Sequence, residues 1–181
     1  MLGPIIVGDR VRLVPPTEDM IPIFCSWFAD TEVTKFLNIR FPPSLSAEKE
    51  WFDRVSRSNE DVLWAVTLED KLIGTTGIHQ IDWRNRHAIT GNLIGDKSEW
   101  GKGYASEVVA LRTRFAFESL GLEKLKSQVF SGNLASRKVL EKAGYRLCGT
   151  FRREAFIDGH WYDSWLFEIL REEWLQIQSM E

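Results

Sequence analysis

Residues Gly91 to Leu120, GNLIGDKSEWGKGYASEVVALRTRFAFESL, read as a short strand, a glycine-punctuated loop and then a long amphipathic helix. Val108, Leu111 and Phe115 recur at helical spacing, as do Ala105, Val109, Ala116 and Leu120, so a wide face of this helix is apolar and has to be covered. The loop therefore stops near Trp100. Gly101 and Gly103 leave the first backbone N–H groups of the helix with almost no side chain above them, and such a helix start suits an anion, above all a phosphate.

Spacing separates the phosphate-binding patterns this stretch can be compared with. A Walker loop has four residues between its first glycine and a Gly-Lys pair followed by Ser or Thr. Here five residues separate Gly95 from Gly101, and Gly103 follows Lys102. A dinucleotide fingerprint would put glycine where Ser106 stands and an acidic residue at the end of the next strand, whereas Glu123 precedes that strand. Trp100-Gly101-Lys102-Gly103-Tyr104-Ala105 resembles a third pattern, the pyrophosphate loop of the GNAT N-acetyltransferase superfamily: Gln or Arg, two variable residues, Gly, one variable residue, then Gly or Ala. Tryptophan at the first position resembles a variant of the ribosomal-protein N-terminal acetyltransferase branch.

Working outward, the 181 residues fit one domain, 1–181, long enough to bury a core without disulfide or metal support. A net charge of -3 argues against a protein that wraps nucleic acid, so any anion site is local. The only apolar run at the start is Pro4 to Val7, with Asp9-Arg10 close behind. That fits neither a signal peptide nor a membrane-spanning helix, and the expected location is the cytoplasm. Cys25 and Cys148 lack metal spacing and are expected to be buried free thiols.

Before the central stretch, Ile5 to Val14 reads as a first strand ended by Pro15-Pro16. Thr17 can cap a helix with Met20, Phe24 and Trp27 on one face, and Ser46 can cap a second carrying Trp51, Phe52 and Val55. Val62 to Leu68, Lys71 to Ile81 and Ile89 to Ile94 make a three-strand meander. After the central helix, Leu125, Ser127 and Val129 alternate with Lys124, Lys126 and Gln128 as a strand does. Asn133 to Ala143 forms a short helix closed by Gly144. Tyr145 to Ile157 and Trp161 to Leu170 flank Asp158-Gly159, a strong hairpin signal, and Glu172 to Gln178 adds terminal helix. This order demands an α/β fold with a mixed, mainly antiparallel central sheet and helices on both faces. It is also the order of the GNAT fold.

A second signature strengthens the resemblance. Ser131 to Tyr145, SGNLASRKVLEKAGY, resembles the ribosomal-protein branch in its Asn, two residues, Ser, then a helix ending in Gly and an aromatic. The tail Gly149 to Trp161 looks like the same branch, and the likeness is tight from about Leu93 onward.

The resemblance implies acetyl-CoA as co-substrate and a primary amine as acceptor, either a protein N-terminus or a small molecule, acetylated directly in a ternary complex. Trp100 to Ser106 would cradle the pyrophosphate, with Lys102 inside the loop, and the pantetheine would lie along Leu93, Ile94 and Gly95 like an extra strand. A backbone N–H near Ile94 would face the thioester oxygen, a donor able to contribute roughly 3 kcal/mol to the barrier. Asn133 would bond the pantetheine arm and Ser136 would protonate the departing thiolate. On spacing alone, the pair serves equally well as a helix cap. Arg137 and Lys138 are either phosphate ligands or a solvated face.

The resemblance implies a glutamate base in the strand after the second signature, where Ala155 aligns and Glu154 stands beside it, so Glu154 is the candidate base, with His79, Asp82 and Asp163 as alternatives. An α-amino group with a pKa of about 8 also allows water to serve. Trp27, Trp51 and Trp64 read as core, whereas Trp83, in the polar turn Asp82 to Arg86, reads as a substrate contact. The alternative function is a non-catalytic CoA-binding sensor or scaffold of the same fold. An acidic acceptor cleft would point to polyamines, a narrow one with backbone donors to a peptide N-terminus, and an aromatic one to a nucleotide-like or antibiotic amine. The resemblance also admits a homodimer.

Overall fold

The computed structural model describes residues 1–39 and 41–179. Ile6–Val7 (β1) and Arg12–Val14 (β2) are followed by helices Ile21–Ala29 (α1), Thr31–Thr34 (α2) and Leu45–Arg57 (α3). Strands Val62–Leu68 (β3), Lys71–Asp82 (β4) and His87–Ile94 (β5) lead to the central helix Tyr104–Glu118 (α4). Strand Lys124–Phe130 (β6), helix Leu134–Lys142 (α5), strands Arg146–Ile157 (β7) and His160–Leu170 (β8) and helix Arg171–Gln178 (α6) complete the chain.

The eight strands form one sheet in the order β1-β2-β3-β4-β5-β6-β8-β7, antiparallel throughout except between β5 and β6. That pair is parallel because α4 carries the chain from the end of β5 back to the start of β6. Its register spans only His87↔Lys124 to Ile89↔Lys126. Thr90 Oγ1 donates to the Lys126 carbonyl at 3.2 Å and Ser127 Oγ to that of Thr90 at 3.2 Å. Beyond those bonds no pairing joins the two strands, and β6 bonds β8 alone.

Alternation along β3 divides the interior. Val62, Trp64 and Val66 face α4, where Trp64 meets Phe115 edge to face with ring centroids 5.2 Å apart. Phe117 of α4 in turn meets Trp174 of α6. Leu63 and Ala65 turn to the other face, where α1 and α3 bury Ile21, Phe24, Phe52 and Val55. Helices therefore cover both faces, as expected. Arg112 lies wholly buried beneath β4 and β5, donating from Nη1 to Thr76 Oγ1 at 2.9 Å and to the Gly91 carbonyl at 2.8 Å.

Three local expectations change. The first strand is a hairpin, broken at Gly8 to Arg10, where Gly8 N–H bonds the Val11 carbonyl at 2.9 Å. Helix α3 is capped by Ser44, whose hydroxyl accepts from Ala47 N–H at 3.2 Å, so Ser46 lies inside it. Neither cysteine is fully buried: Cys25 is half-buried and Cys148 exposed. At Asp158-Gly159 both residues have positive φ, 50° and 79°, the conformation a two-residue hairpin turn of type I′ requires. No helix among the described residues is long and apolar enough to cross a membrane.

Candidate active site

Where β5 and β6 part, a cleft of about 670 Å³ opens. One wall is the end of β5, Asn92 to Ile94, continuing into Glu99 to Gly101 and Gly103 to Ala105, and the opposite wall is the start of α5, Gly132 to Ser136 with Val139. Glu32 to Leu37, from α2 and the segment after it, line a third side.

Register decides which backbone groups face this opening. Gly95 N–H bonds the Ile73 carbonyl at 2.9 Å, and the pairing runs unbroken from Gly74↔Ile94 to His79↔Ile89. In an antiparallel ladder, alternate residues turn their N–H and C=O toward the same neighbour. Gly91, Leu93 and Gly95 therefore face β4, and Asn92 and Ile94 face the cleft. The Ile94 carbonyl is taken by the indole N–H of Trp100 at 2.7 Å. This gives Trp100 a physical role: it ties the loop to the last carbonyl of the strand. The Ile94 N–H and both backbone groups of Asn92 are left toward the opening, without a strand to pair with.

The loop after Trp100 turns through two left-handed glycines, Gly101 at φ 75° and Gly103 at φ 86°, and Gly103 is the N-cap of α4. A Cβ on Gly101 would meet nothing within 4 Å, so this face of the loop is open. Ser106 N–H closes on the Gly103 carbonyl at 3.1 Å, while the N–H groups of Tyr104 and Ala105 stand ahead of the first helical bond.

Charges brace the loop from two sides. Glu99, with a nearly buried side chain, accepts from Lys102 Nζ at 2.8 Å and Lys71 Nζ at 2.6 Å. These two ammonium groups hold its carboxyl below the ordinary range. Lys71, bonded also to Asp96, is pushed up to about 12. On the other side, Glu107 Oε1 accepts from the N–H groups of Arg10 and Val11, at 2.8 and 3.2 Å, and Oε2 from Arg10 Nε at 3.1 Å. Burial pushes the Glu107 carboxyl up, but these donors outweigh it and leave it lowered. Arg10 also donates to the Lys102 carbonyl at 3.0 Å and lies 4.9 Å from the centre of the Tyr104 ring. Sequence reading missed Arg10, Glu99 and Glu107. The β1–β2 turn is so far from α4 in the chain that no spacing rule links them.

Across the cleft, Asn133 Oδ1 accepts from Ser136 N–H at 3.1 Å, which makes Asn133 the cap of α5. Only the backbone of Ser136 is used in that bond. Its hydroxyl lines the cleft and makes no hydrogen bond to protein among the described residues. Arg137 is occupied elsewhere, bonding Glu141 at 2.8 Å and lying over the Trp165 ring at 4.7 Å.

Leu93, Ile94, Trp100, Gly101, Gly103, Tyr104, Ala105, Asn133 and Ser136 thus come together around one opening. Gly95, Lys102 and Ser106 sit behind it. Gly95 lies under Trp27, Lys102 turns its ammonium to Glu99, and the Ser106 N–H is spent on Gly103.

Two of the candidates lie away from this cleft. Trp83 is in the turn at the opposite end of β5, about 20 Å along the strand from Ile94, where its indole N–H bonds the Asn59 carbonyl at 2.8 Å. It anchors that turn and does not reach the cleft. Glu154 is exposed on the outermost strand, in a bulge that sets three residues between the pairs Phe151↔Ser164 and Ala155↔Tyr162. The bulge gives it no place in the cleft. The alternatives are committed too. His79 bonds Asp61 at 3.1 Å, Asp82 accepts from the backbone of Asn85 at 2.8 Å, and Asp163 accepts from the Arg153 N–H inside the bulge at 2.9 Å. No cluster of three metal-binding side chains exists among the described residues.

Against this geometry, a family model described as an acetyltransferase (GNAT) domain matches residues 10–146. An uncharacterised N-acetyltransferase of Bacillus subtilis (strain 168), YoaA, is 28% identical over 173 residues, covering 93% of this chain and 97% of that protein. A putative ribosomal N-acetyltransferase of the same organism, YdaF, is 30% identical over 106 residues, 59% of this chain and 57% of that protein. Among solved structures, a spermidine N-acetyltransferase from Vibrio cholerae, in complex with CoA and spermine, superposes with a TM-score of 0.87. It is 20% identical, and the match covers 93% of this chain and 99% of that one.

Proposed function

Since the chain belongs to the GNAT acetyltransferases and is an acetyl-CoA-dependent N-acetyltransferase, we propose that the cleft where β5 and β6 part is its active site and that one such domain accounts for residues 1–181. The observation that carries this reading is the unpaired backbone edge formed by Asn92 and the Ile94 N–H, set between a glycine-lined helix start and Ser136.

The residues fit the co-substrate at both ends. The N–H groups at Tyr104 and Ala105, with the open face at Gly101, would hold the pyrophosphate, and the helix dipole adds to their field. The backbone groups of Asn92 would bond a pantetheine amide as a neighbouring strand would. Bound acetyl-CoA supplies a thioester, an acyl group on a leaving thiolate. The Ile94 N–H, fixed by the β4–β5 ladder, is the donor for charge developing on the acyl oxygen, and a fixed donor needs no reorganisation during the reaction. Ser136 Oγ, free of other bonds, holds the proton for the sulfur. The acceptor nitrogen loses its proton to water, because an α-amino group near pKa 8 is partly neutral at physiological pH. No carboxylate of the chain is assigned to that step.

Within the family, the Trp100 loop, the Asn133–Ser136 pair and the partial likeness to YdaF support the ribosomal-protein branch. The spermine in the Vibrio complex makes polyamines the natural comparison acceptors. A cytoplasmic location accords with acetyl-CoA as co-substrate.

Calorimetry with CoA tests the site. The parent chain is expected to bind, and Gly103→Val to lose binding, because a β-branched residue is strained at φ 86° and obstructs the helix start. Unchanged affinity in Gly103→Val would remove the loop from the site.

A further inference from the structure

We propose that the acceptor is a primary amine on an apolar or aromatic body, with no second positive charge. This rests on the N-acetyltransferase reading and deepens it.

The cleft side that coenzyme contacts leave over is lined by Val33, Phe36 and Leu37 interspersed with Glu32 and Lys35, with Leu134 opposite. Val33 is buried, and the Phe36 ring meets Tyr162 edge to face with centroids 5.7 Å apart. This surface offers an acceptor apolar contact and an aromatic ring, Phe36, whose centre the Lys35 ammonium approaches to 5.8 Å.

The charges at the rim are nearly all spent. Lys35 pairs with Asp158 at 2.9 Å. Asp96 and Glu99 are matched by Lys71 and Lys102. Asp30 and Glu32 share Lys97, at 2.7 and 2.9 Å, so two carboxylates against one ammonium leave a single negative charge. That balance suits one arriving ammonium. A polyamine would bring further ammonium groups into an apolar cleft without a free carboxylate for each, and an uncompensated buried charge is strongly unfavourable.

Such an amine has two sources, a free arylalkylamine or a peptide with an apolar first residue, and acetyl-CoA turnover can be followed with both. The panel is 2-phenylethylamine, phenylalanyl-glycine amide, ethanolamine and spermidine. At least one of the first two is expected to exceed spermidine and ethanolamine in kcat/KM by roughly tenfold or more, a margin apolar pockets commonly achieve. The better of them identifies the source. Phe36→Ser should lower that kcat/KM by about tenfold with CoA affinity unchanged. Lys97→Gln, which frees Asp30 and Glu32, should raise kcat/KM for spermidine by about tenfold, since unpaired carboxylates then meet its added charges. Spermidine or ethanolamine as the best acceptor of the parent chain would overturn the proposal. So would CoA binding without turnover of either apolar amine, although that result leaves the coenzyme site standing. A parent chain that does not bind CoA would overturn both readings.

Discussion

In the proposed mechanism Ser136 and Asn133 divide between them two tasks that the spacing of the signature leaves undivided. The cap runs from Asn133 Oδ1 to the Ser136 N–H, so the Ser136 side chain is spare. Ser136→Ala should therefore keep the melting temperature of the parent while kcat and kcat/KM fall together, by roughly ten- to ten-thousand-fold, the range of general acid catalysis. Asn133→Ala should behave in the opposite sense, losing about 1 kcal/mol of stability with the cap bond. Thermal melts and steady-state rates on the two variants separate the roles. A Ser136→Ala protein with parental kcat would take the hydroxyl out of the mechanism.

Helix α4 shows what a single element discloses in the chain and what it hides. Its period, its glycines and its length are all local, and so they were legible: Val108, Val109, Leu111 and Ala116 are buried as the 3.6-residue repeat requires, although Phe117 rather than Phe115 is the fully buried aromatic. The device holding its first turn was not legible, because Glu107 answers to Arg10 and Val11, partners brought near only by the folded sheet. The same distinction explains the turn at Asp158-Gly159, readable from two adjacent residues, and the bulge at Arg153, which depends on Asp163 across the hairpin. Glu107 also gives the element a pH signature. Its carboxyl titrates lower in the folded chain than in the unfolded one. Its contribution is therefore present above the ordinary glutamate range and lost as pH falls through the lowered value. Glu107→Gln should cost about 1–2 kcal/mol at neutral pH, the scale of hydrogen bonds to a charged group. It should also flatten the loss of stability on acidification. Urea unfolding of both proteins at neutral and acid pH measures both effects, and parallel pH profiles would show that Glu107 contributes no charge-dependent stability.

The two layers of helices meet the sheet differently, and the cleft proposed as the active site opens where β5 and β6 separate between them. On one face α4 and α5 bring the residues proposed for the coenzyme; on the other, α1 and the segment after α2 close the opening with Trp27 and Phe36. Glycines at the two strand ends permit that closure. A Cβ on Gly132 would lie 2.6 Å from carbons of both Phe36 and Tyr162, and one on Gly95 would lie 2.0 Å from the Trp27 ring. Trp27 read as core in the sequence, and Gly95 as a coenzyme contact. That one seats the other could not be inferred, because contact between α1 and the end of β5 is set by the docking of whole layers. Gly95 does not have positive φ, so its backbone is open to alanine, and the nearest obstacles to a Cβ are atoms of the Trp27 ring. Gly95→Ala should then destabilise the protein by about 1–3 kcal/mol, the usual cost of overpacking. In a Trp27→Ala background, where the obstructing ring is gone, the same change should cost almost nothing. Four denaturation curves complete the cycle, and neighbours sharing a steric conflict are where additivity fails. A cost at Gly95 that persists without Trp27 would place the requirement in the β5 backbone, and the layer contact would lose its explanation for glycine at that position.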